Sequence, residues 1–287
     1  MSVAFVMTTI SDLLGEARAK LAGPEVAHEA EWLLEAICGI RRTRQFSHPD
    51  VEVNSLDAGR FRQSLQRRIE GEPLAYIIGY RDFWNMRLAV TPDVLIPQPD
   101  TEILVEQALA RIPASVVWNI ADLGTGSGAI ALALAIERPS CPVLATDVSG
   151  RALEVAATNA ATYRLHNVSF AQIEWLAAGA PDSFEMIVSN PPYIADNDTC
   201  LVTGDVCREP RIALAAGSEG LDDLERIIEN SCVCLKHGGW LLLEHGYQQA
   251  EAVTAWLTMA GYTEVFTARD YAGHERVSGG RRPLANF

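Results

Sequence analysis

The sequence predicts an α/β fold, a parallel β-sheet with helices on both faces, preceded by a small all-α domain. Three observations lead to this class. From about residue 9 to 70, apolar residues recur at helical spacing alone. Beyond residue 116, short apolar runs alternate with helical patterns, and a glycine-rich loop joins the first run to the first of these helices. The chain has 287 residues, 48% of them hydrophobic, and can therefore bury one large core and one smaller one.

Three apolar stripes define the N-terminal region, over residues 10–21, 26–37 and 61–69. Thr9 and Asp12 predict a capping box at the start of the first helix. Arginines flank the stripes and predict a basic rim, formed by Arg41, Arg42, Arg44, Arg60, Arg62, Arg67 and Arg68. Such a rim is typical of a solvated face, and partner binding is the alternative.

Residues 81–98 predict an extended or hairpin linker, because apolar residues alternate in the first half and prolines punctuate the second. Asp100 or Thr101 is expected to cap the next helix, with Glu102 at its positive end. The following pattern predicts strands at 117–123, 143–147, 168–173, 184–189, 240–244, 264–268 and 275–278. It predicts helices at 128–137, 152–163, 221–235 and 248–261.

Composition excludes several classes of protein. The net charge is −14, and residues 81–287 carry −12 of it, with 14 basic against 26 acidic side chains. Affinity that depends on neutralising phosphates is therefore not expected, which makes nucleic acid an unlikely partner. No apolar run reaches the ~18 residues of a membrane span, and the N-terminus lacks the basic segment of a signal peptide. The six cysteines form no zinc-type spacing, so we expect free thiols and no metal. Together, these features predict a soluble cytoplasmic protein.

The run Asn190-Pro191-Pro192-Tyr193 follows the predicted strand 184–189, at the sheet edge where α/β proteins bind ligands. Asn190 offers a hydrogen-bond acceptor and a donor on one short stem. The prolines restrict φ and hold the backbone carbonyls in place, and Tyr193 adds a flat aromatic face. This tetrapeptide can hold a planar NH2 group, such as an amide or a nucleobase amine. A plain loop that closes the strand is the alternative.

The run Gly124-Thr125-Gly126-Ser127-Gly128 closes the first strand of the alternation and opens a helix. Its glycines permit positive φ and the close approach of a ligand, although the third glycine departs from the G-x-G-x-x-G dinucleotide pattern. Asp147 ends the next strand about 20 residues later, where a carboxylate can accept two ribose hydroxyls. A helix cap shared with Ser149 is the alternative for Asp147. Together these features predict an adenosine-bearing cofactor and leave NAD and S-adenosylmethionine both open.

The tetrapeptide favours methyl transfer over hydride transfer. Hydride transfer needs a nicotinamide site and a proton donor, whereas methyl transfer from a sulfonium needs a nucleophile held in line. Our hypothesis is that Asn190 Oδ1 and the Pro191 carbonyl accept the two hydrogens of a substrate amide, which stabilises the charge that grows on its nitrogen. Tyr193 would pack against the planar amide and position it for attack.

Several stretches carry a resemblance to a known family, namely 71–76, 95–102, 122–128, 188–193, 244–246, 270–271 and 275–276. Over essentially its full length, the chain resembles the release factor glutamine N5-methyltransferases of the HemK/PrmC type. The resemblance implies a Rossmann-like, seven-stranded class I methyltransferase sheet over residues 99–287. It also implies that residues 1–80 form the helical domain that recognises the substrate.

The same resemblance implies the chemistry. The cofactor is expected to be S-adenosyl-L-methionine, and the methyl acceptor N5 of the glutamine in the Gly-Gly-Gln motif of class I peptide chain release factors. The glycine loop would line the methionine side of the cofactor, Asp147 its ribose and Trp175 its adenine. Residues 190–193 would bind the glutamine amide, with Asn190 also beside the cofactor.

Gln98 and Glu174 depart from the family pattern, which usually has Arg and Asp there. Three alternatives stay open from the residues. A ribosomal-protein glutamine methyltransferase would share the same motifs. A nucleobase amine methyltransferase would need base flipping and a basic channel, which the acidic charge disfavours. A cofactor-binding module without turnover is disfavoured because Asn190 and the loop glycines are retained.

Overall fold

A computed structural model describes residues 8–21, 26–176 and 181–285. Their contacts divide the chain into two compact units, Met1–Gly79 and Tyr80–Phe287. Among the helices in the described ranges, none combines the length and the apolar character needed to cross a membrane.

The first unit is mainly helical. Its helices are α1 (Ile10–Lys20), α2 (Val26–Cys38), α3 (Arg42–Ser47), α4 (Ser55–Ile69) and α5 (Leu74–Ile78). The expectation of helical structure alone was wrong, because β1 (Thr8–Thr9) pairs antiparallel with β2 (Glu52–Val53). Strands of two residues are too short to produce an alternating pattern that sequence analysis can detect.

The capping box at the start of α1 is confirmed. Asp12 N donates to Thr9 Oγ1 over 3.2 Å, and Thr9 N donates to Asp12 Oδ2 over 2.9 Å. The pairing of β1 with β2 holds Thr9 in the extended conformation that an N-cap residue requires.

Most of the basic rim is paired with carboxylates of the same unit. Arginines form ion pairs at Arg42–Glu31, Arg60–Asp57, Arg62–Glu16, Arg67–Glu72 and Arg68–Glu29. These pairs leave little free positive charge on this face, as expected for a solvated surface held by local ion pairs.

The second unit begins with a hairpin and continues as an α/β sheet. The hairpin strands are β3 (Tyr80–Phe83) and β4 (Met86–Ala89). The sheet strands are β5 (Ile120–Leu123), β6 (Val143–Asp147), β7 (Val168–Gln172), β8 (Phe184–Ser189), β9 (Leu235–Glu244), β10 (Thr263–Arg269) and β11 (Glu275–Arg281). The helices are α6 (Glu102–Arg111), α7 (Ala129–Glu137), α8 (Gly150–Thr162), α9 (Asp222–Cys234) and α10 (Ala250–Met259).

The seven strands lie in the order β10-β11-β9-β8-β5-β6-β7, which confirms the expected α/β fold. The strands from β7 to β9 are parallel, but β11 is antiparallel to both of its neighbours. A fully parallel sheet was therefore the wrong expectation. Only five residues, 270–274, join β10 to β11, and a parallel crossover needs a dozen or more.

The strand β9 starts five residues before its predicted beginning at Trp240, and it includes Gly238 and Gly239. Two adjacent glycines normally indicate the end of a strand. Here a Cβ on Gly239 would lie 2.9 Å from Lys236 O and 3.0 Å from Glu185 O, so close backbone approach requires a glycine.

The predicted side-chain cap of α6 was wrong. Over the described residues 99–111, a 3₁₀ turn, Pro99–Thr101, leads into the helix, and neither residue 100 nor 101 forms a side-chain cap bond. Glu102 accepts a hydrogen bond from Trp84 N over 2.7 Å, so this carboxylate ties the helix to the hairpin. Thr101 points its hydroxyl into the functional region described below.

Parallel pairing places β5 between β6 and β8, and the chain order reverses at that point. Because the carboxyl ends of β5, β6 and β8 meet at one edge, side chains that follow these strands converge there. Such a reversal is where open α/β sheets bind ligands.

A substitution at Leu104 on α6 tests whether this helix packs against the sheet. It is fully buried in a cluster with Ile120 and Val188. We expect Leu104→Ala to lower the free energy of unfolding by about 2–5 kcal/mol, because it leaves a cavity. Urea unfolding followed by circular dichroism measures this loss. Met259→Ala is the control, since that side chain is 82% exposed and should change stability by less than about 0.5 kcal/mol. Equal effects of the two substitutions would contradict the assignment.

Candidate functional site

A cavity of about 260 Å³ lies at the carboxyl edge of the sheet, where the strand order reverses. Six of the predicted site residues line it: Gly124, Gly126, Asp147, Trp175, Asn190 and Pro192. The other lining residues include the apolar Val94, Ile173 and Ile212 and the acidic Asp93, Glu174 and Asp223. The fold therefore brings the glycine loop, the acid at the end of β6 and the tetrapeptide after β8 into one cavity.

The glycine loop exposes its backbone to the cavity only at Gly124 and Gly126. Both have positive φ, 72° and 55°, which favours glycine. A Cβ on Gly124 would lie 3.3 Å from Trp175 Cζ3, so the indole ring covers this position closely. Gly128 has another role, because a Cβ there would lie 3.1 Å from Leu132 Cδ1 and 3.2 Å from Ala156 Cβ. Its lack of a side chain allows α7 and α8 to pack.

Thr125 and Ser127 point away from the cavity. Thr125 is buried and its hydroxyl donates to Asp122 Oδ2 over 2.7 Å. The buried Ser127 accepts a hydrogen bond at its carbonyl from Asn159 Nδ2 over 2.9 Å. These two residues hold the loop in shape and do not line the cavity.

Asp122 was missed as a functional residue, although it begins the loop motif. It is fully buried at the end of β5, where its Oδ2 accepts from the Thr125 hydroxyl and from Ala131 N over 3.1 Å. Burial raises the pKa of this carboxyl to about 7, and the nearby charge of Asp147 acts in the same direction. An acid within a strand that is otherwise apolar was the signal that could have identified it.

Asp147 is anchored at the cavity wall by two backbone amides. Gly126 N donates to its Oδ2 and Ser149 N to its Oδ1, each over 2.9 Å. Ser149, not Asp147, provides the side-chain cap of α8, by accepting from Ala152 N. Each carboxylate oxygen keeps lone pairs for further acceptor bonds, so the site can receive two hydroxyl groups.

Trp175 stands in a tight turn after β7 with a φ of 41°. Its indole Nε1 donates to Asp223 Oδ1 over 3.2 Å, which fixes the ring beside Gly124. The neighbouring Glu174 is exposed and lies 3.8 Å from Arg226. The cavity thus has one flat aromatic wall, held in place from the start of α9.

The tetrapeptide after β8 divides between the cavity and the interior. Both prolines are buried, and Pro192 lines the cavity together with Asn190, whereas Pro191 does not. Tyr193 does not line the cavity, and its hydroxyl donates to Glu244 Oε1 over 3.2 Å. On the other side, Asn190 Nδ2 donates to Thr101 Oγ1 over 3.2 Å.

Glu244 is a second buried acid that sequence analysis did not assign to the site. Only 1% of the residue is exposed, at the end of β9. Burial raises its pKa to about 7, against the opposing effects of hydrogen bonding from Thr101 and the charge of Arg276. Arg276 pairs with Asp270 over 3.2 Å and with Asp100 over 3.3 Å.

The adjacent His245 is buried and both of its ring nitrogens are occupied, one by Gly246 O and the other by Ser278 Oγ. This pattern fits a packed, neutral histidine, and burial lowers its pKa. Across the described ranges, no group of three or more His, Cys, Asp or Glu side chains is placed to hold a metal ion.

Two family models match the chain. The model described as the PrmC N-terminal domain covers residues 12–79, and the methyltransferase small domain covers residues 99–219. A release factor glutamine methyltransferase from Salmonella typhimurium is 49% identical over 253 residues, which are 88% of this chain and 91% of the relative. One from Coxiella burnetii is 46% identical over 254 residues, again 88% of this chain and 91% of the relative.

The chain belongs to the release factor glutamine methyltransferase family. The resemblance drawn from its motifs is therefore confirmed. A solved methyltransferase from Pyrococcus furiosus, 18% identical, matches with a TM-score of 0.52 over 78% of this chain and 98% of its own. This similarity shows the fold of the methyltransferase unit.

The dependence of stability on pH tests whether burial raises the pKa of the Asp122 carboxyl. Its pKa rises on folding from about 4 to about 7, so its stabilising contribution is present below pH 4 and is lost as the pH rises through 7. The loss is at most about 1.4 kcal/mol per pH unit. We expect Asp122→Asn to remove this loss, so the variant gains stability relative to the native chain between pH 5 and pH 8. The measurement is thermal unfolding across that range.

Comparison of the two proteins at each pH isolates Asp122, because Glu209 and Glu244, whose pKa values are also about 7, titrate in both. A difference in melting temperature that stays constant from pH 5 to pH 8 would show that Asp122 does not titrate in this window.

Proposed function

We propose that the protein transfers the methyl group of S-adenosyl-L-methionine to N5 of the glutamine side chain in the Gly-Gly-Gln motif of class I peptide chain release factors. One observation carries the proposal: Asn190, whose side chain can accept a hydrogen from an amide, lines the same cavity as Gly124, Gly126, Asp147 and Trp175. The nitrogen acceptor and the methyl donor must meet within bonding distance, and a single cavity allows this. Membership of the family supports the same substrate.

The residues of the cavity fit this cofactor. Gly124 and Gly126 leave the backbone open to a ligand, Asp147 can accept the two ribose hydroxyls, and the Trp175 ring offers a flat face to adenine. When bound, S-adenosyl-L-methionine supplies an electrophilic methyl group on a positively charged sulfonium. Thr125, Ser127 and Gly128 would act indirectly, because they keep the loop in shape.

Charge favours this cofactor over a dinucleotide. Acidic side chains line the cavity, namely Asp93, Asp147, Glu174 and Asp223, and the described lining contains no Lys or Arg. A negative cavity attracts a cationic sulfonium and repels the pyrophosphate of NAD. The −12 charge of residues 81–287 likewise disfavours a nucleic-acid substrate.

Asn190 and Pro191 would perform the chemistry on the substrate side. An amide nitrogen is a weak nucleophile because its lone pair is delocalised into the carbonyl. With Asn190 Oδ1 and the Pro191 carbonyl accepting its two hydrogens, the nitrogen is oriented toward the methyl group and its growing positive charge is stabilised. Pro192 would form the adjoining wall of the cavity. For Tyr193 the hydrogen bond to Glu244 supports a role in holding the motif, which we propose in place of packing on the amide.

We assign substrate recognition and methyl transfer to different domains. Residues 1–80 would recognise the release factor, residues 81–98 link the domains, and residues 99–287 carry the transfer. The match of the PrmC N-terminal domain to residues 12–79 supports this division. A cytoplasmic location follows from the function, because release factors act at ribosomes.

Substrate identity is tested with radiolabelled S-adenosyl-L-methionine. We expect label on a class I release factor, and no label once the glutamine of its Gly-Gly-Gln motif is replaced by alanine. Total ribosomes and DNA are incubated in parallel. Label on ribosomal protein alone, or on DNA alone, would replace the proposed substrate with one of the two alternatives.

Asn190→Ala tests the role of the amide acceptor. Loss of a preorganised group that stabilises the transition state typically costs 100-fold or more, so we expect kcat to fall by at least about 100-fold. The affinity for S-adenosyl-L-methionine, measured by calorimetry, should change by less than about threefold. Asn197→Ala is the matched control, since Asn197 is an exposed asparagine in the same loop. Turnover of Asn190→Ala near the native level would exclude this role.

A further inference from the structure

One face of α8 contacts both the glycine loop and the hairpin. Residues 152, 156, 159 and 163 recur along it at helical spacing. Ala152 lines the cavity, and a Cβ on Gly128 would lie 3.2 Å from Ala156. Asn159 bonds both to the loop and to the hairpin, and Tyr163, directly after the helix, bonds to the hairpin. A single helix face therefore joins the wall of the cavity to the hairpin.

Asn159 forms three hydrogen bonds with its side-chain amide. Its Oδ1 accepts from Ala89 N over 2.7 Å, and its Nδ2 donates to Ala89 O over 3.0 Å. Nδ2 also donates to Ser127 O over 2.9 Å. One partner is an N–H group and two are carbonyls, so a single orientation of the amide satisfies all three. Only 2% of Asn159 is exposed, which keeps water from taking the place of these partners.

The hairpin edge that Asn159 contacts has no strand beside it. Within the part of the chain that the structure describes, β3 and β4 form a two-stranded sheet. Asn159 occupies the outer edge of β4 at Ala89. The Tyr163 hydroxyl occupies it at Arg87, where it accepts from Arg87 N over 2.6 Å and donates to Arg87 O over 3.1 Å. Two side chains thus take the place of a third strand, and Asn159 differs from Tyr163 because it also holds the glycine loop.

The bond to Ser127 O holds a peptide in the middle of the glycine loop. Gly126 lines the cavity and donates its N–H to Asp147 Oδ2 over 2.9 Å, and Gly128 donates to Thr125 O over 2.8 Å. Both glycines have positive φ, 55° and 88°. Because glycine restricts its own backbone only weakly, the loop depends on hydrogen bonds from outside to keep one conformation.

We propose that Asn159 is a positioning residue for the cofactor, which holds the glycine loop in its binding conformation by joining Ser127 O to the hairpin. The inference rests on the proposed function, because its ligand is S-adenosyl-L-methionine. Asn159 does not line the cavity, so it acts through the loop. Its removal should therefore weaken cofactor binding and spare the chemical step.

Asn159→Ala removes all three hydrogen bonds and introduces a residue that favours a helix. We expect the affinity for S-adenosyl-L-methionine, measured by calorimetry, to fall about 10-fold, because Ser127 O and Ala89 lose buried partners. The KM for the cofactor should rise in proportion, while kcat on the release factor at saturating cofactor stays within about threefold of the native value. This is the reverse of Asn190→Ala, which lowers kcat and spares cofactor affinity.

Tyr163→Phe is the matched control. It removes two hydrogen bonds to the same edge of β4 and leaves the bond from Asn159 to Ser127 O in place. Arg87 is exposed, so water can replace the lost hydroxyl. We expect this variant to bind S-adenosyl-L-methionine within about twofold of the native affinity. Equal cofactor affinities in folded Asn159→Ala and Tyr163→Phe would show that Asn159 only supports the hairpin, which overturns the proposal.

A second readout needs no cofactor. Amide hydrogen exchange, followed by mass spectrometry, reports local opening in peptides that cover residues 80–89 and 122–128. We expect faster exchange in both segments for Asn159→Ala, and in residues 80–89 alone for Tyr163→Phe. Native exchange over residues 122–128 in Asn159→Ala contradicts the proposed anchoring of the loop.

Asn159→Asp keeps the test decisive if the alanine variant does not fold. It preserves the shape and the acceptor for Ala89 N, but its carboxyl group has at most one hydrogen for two carbonyls. We expect faster exchange over residues 122–128 and weaker cofactor binding here too, with melting temperatures to verify that each variant is folded. Native exchange and native affinity in Asn159→Asp reject the positioning role.

The two hypotheses fail in different ways. If the native chain binds no S-adenosyl-L-methionine, the proposed function is wrong, and exchange over residues 122–128 still decides whether Asn159 holds the loop. If the native chain binds the cofactor and methylates the release factor, but folded Asn159→Ala binds the cofactor with native affinity, the positioning role is wrong while the function stands.

Discussion

The parallel pairing of β5 with both β6 and β8 is the constraint on which the rest of the second unit depends. It brings the carboxyl ends of the central strands to one edge, and the loops that follow must turn there. The glycines after β5 make one of those turns possible, and the prolines after β8 stiffen another. Every residue proposed to contact the cofactor or the substrate amide lies at or just after the end of a strand at this edge, so the position of each one depends on this backbone pairing.

Buried carboxylates join the segments around this edge, and their burial lowers the stability of the fold. Asp122, Glu209 and Glu244 each have a pKa of about 7 because burial disfavours their charged forms. Each one holds a segment near the cavity: Asp122 binds the glycine loop, Glu209 accepts from Ile96 N over 2.8 Å, and Glu244 accepts from Tyr193. A carboxylate can accept several bonds at once, which suits it to join chain segments that lie far apart in sequence. These bonds connect the segments around the cavity, and the raised pKa values imply that the fold loses stability as the pH rises through 7.

Local patterns explain why so much of the fold could be predicted. The strand and helix sequence, the capping box at Thr9 and the position of the tetrapeptide all depend on residues within one or two turns or strands of each other. The mixed sheet could not be predicted in the same way, because the orientation of β11 depends on the length of a connection and on its neighbours. The continuation of β9 through Gly238 and Gly239 depends likewise on the close approach of Glu185, some 50 residues away in sequence.

The sequence by itself determined the class of fold, the family and the central site residues, since motifs at strand ends must converge once the strands are parallel. Tertiary structure alone decided which side chains face the cavity. In the folded chain Thr125 and Ser127 are buried away from the cavity, and the Tyr193 hydroxyl donates to Glu244. The fold also brought Thr101 to Asn190 across 89 positions of sequence. Hydrogen bonds between distant segments leave no periodic trace in a sequence, because they depend on where the chain returns and not on the residues beside them.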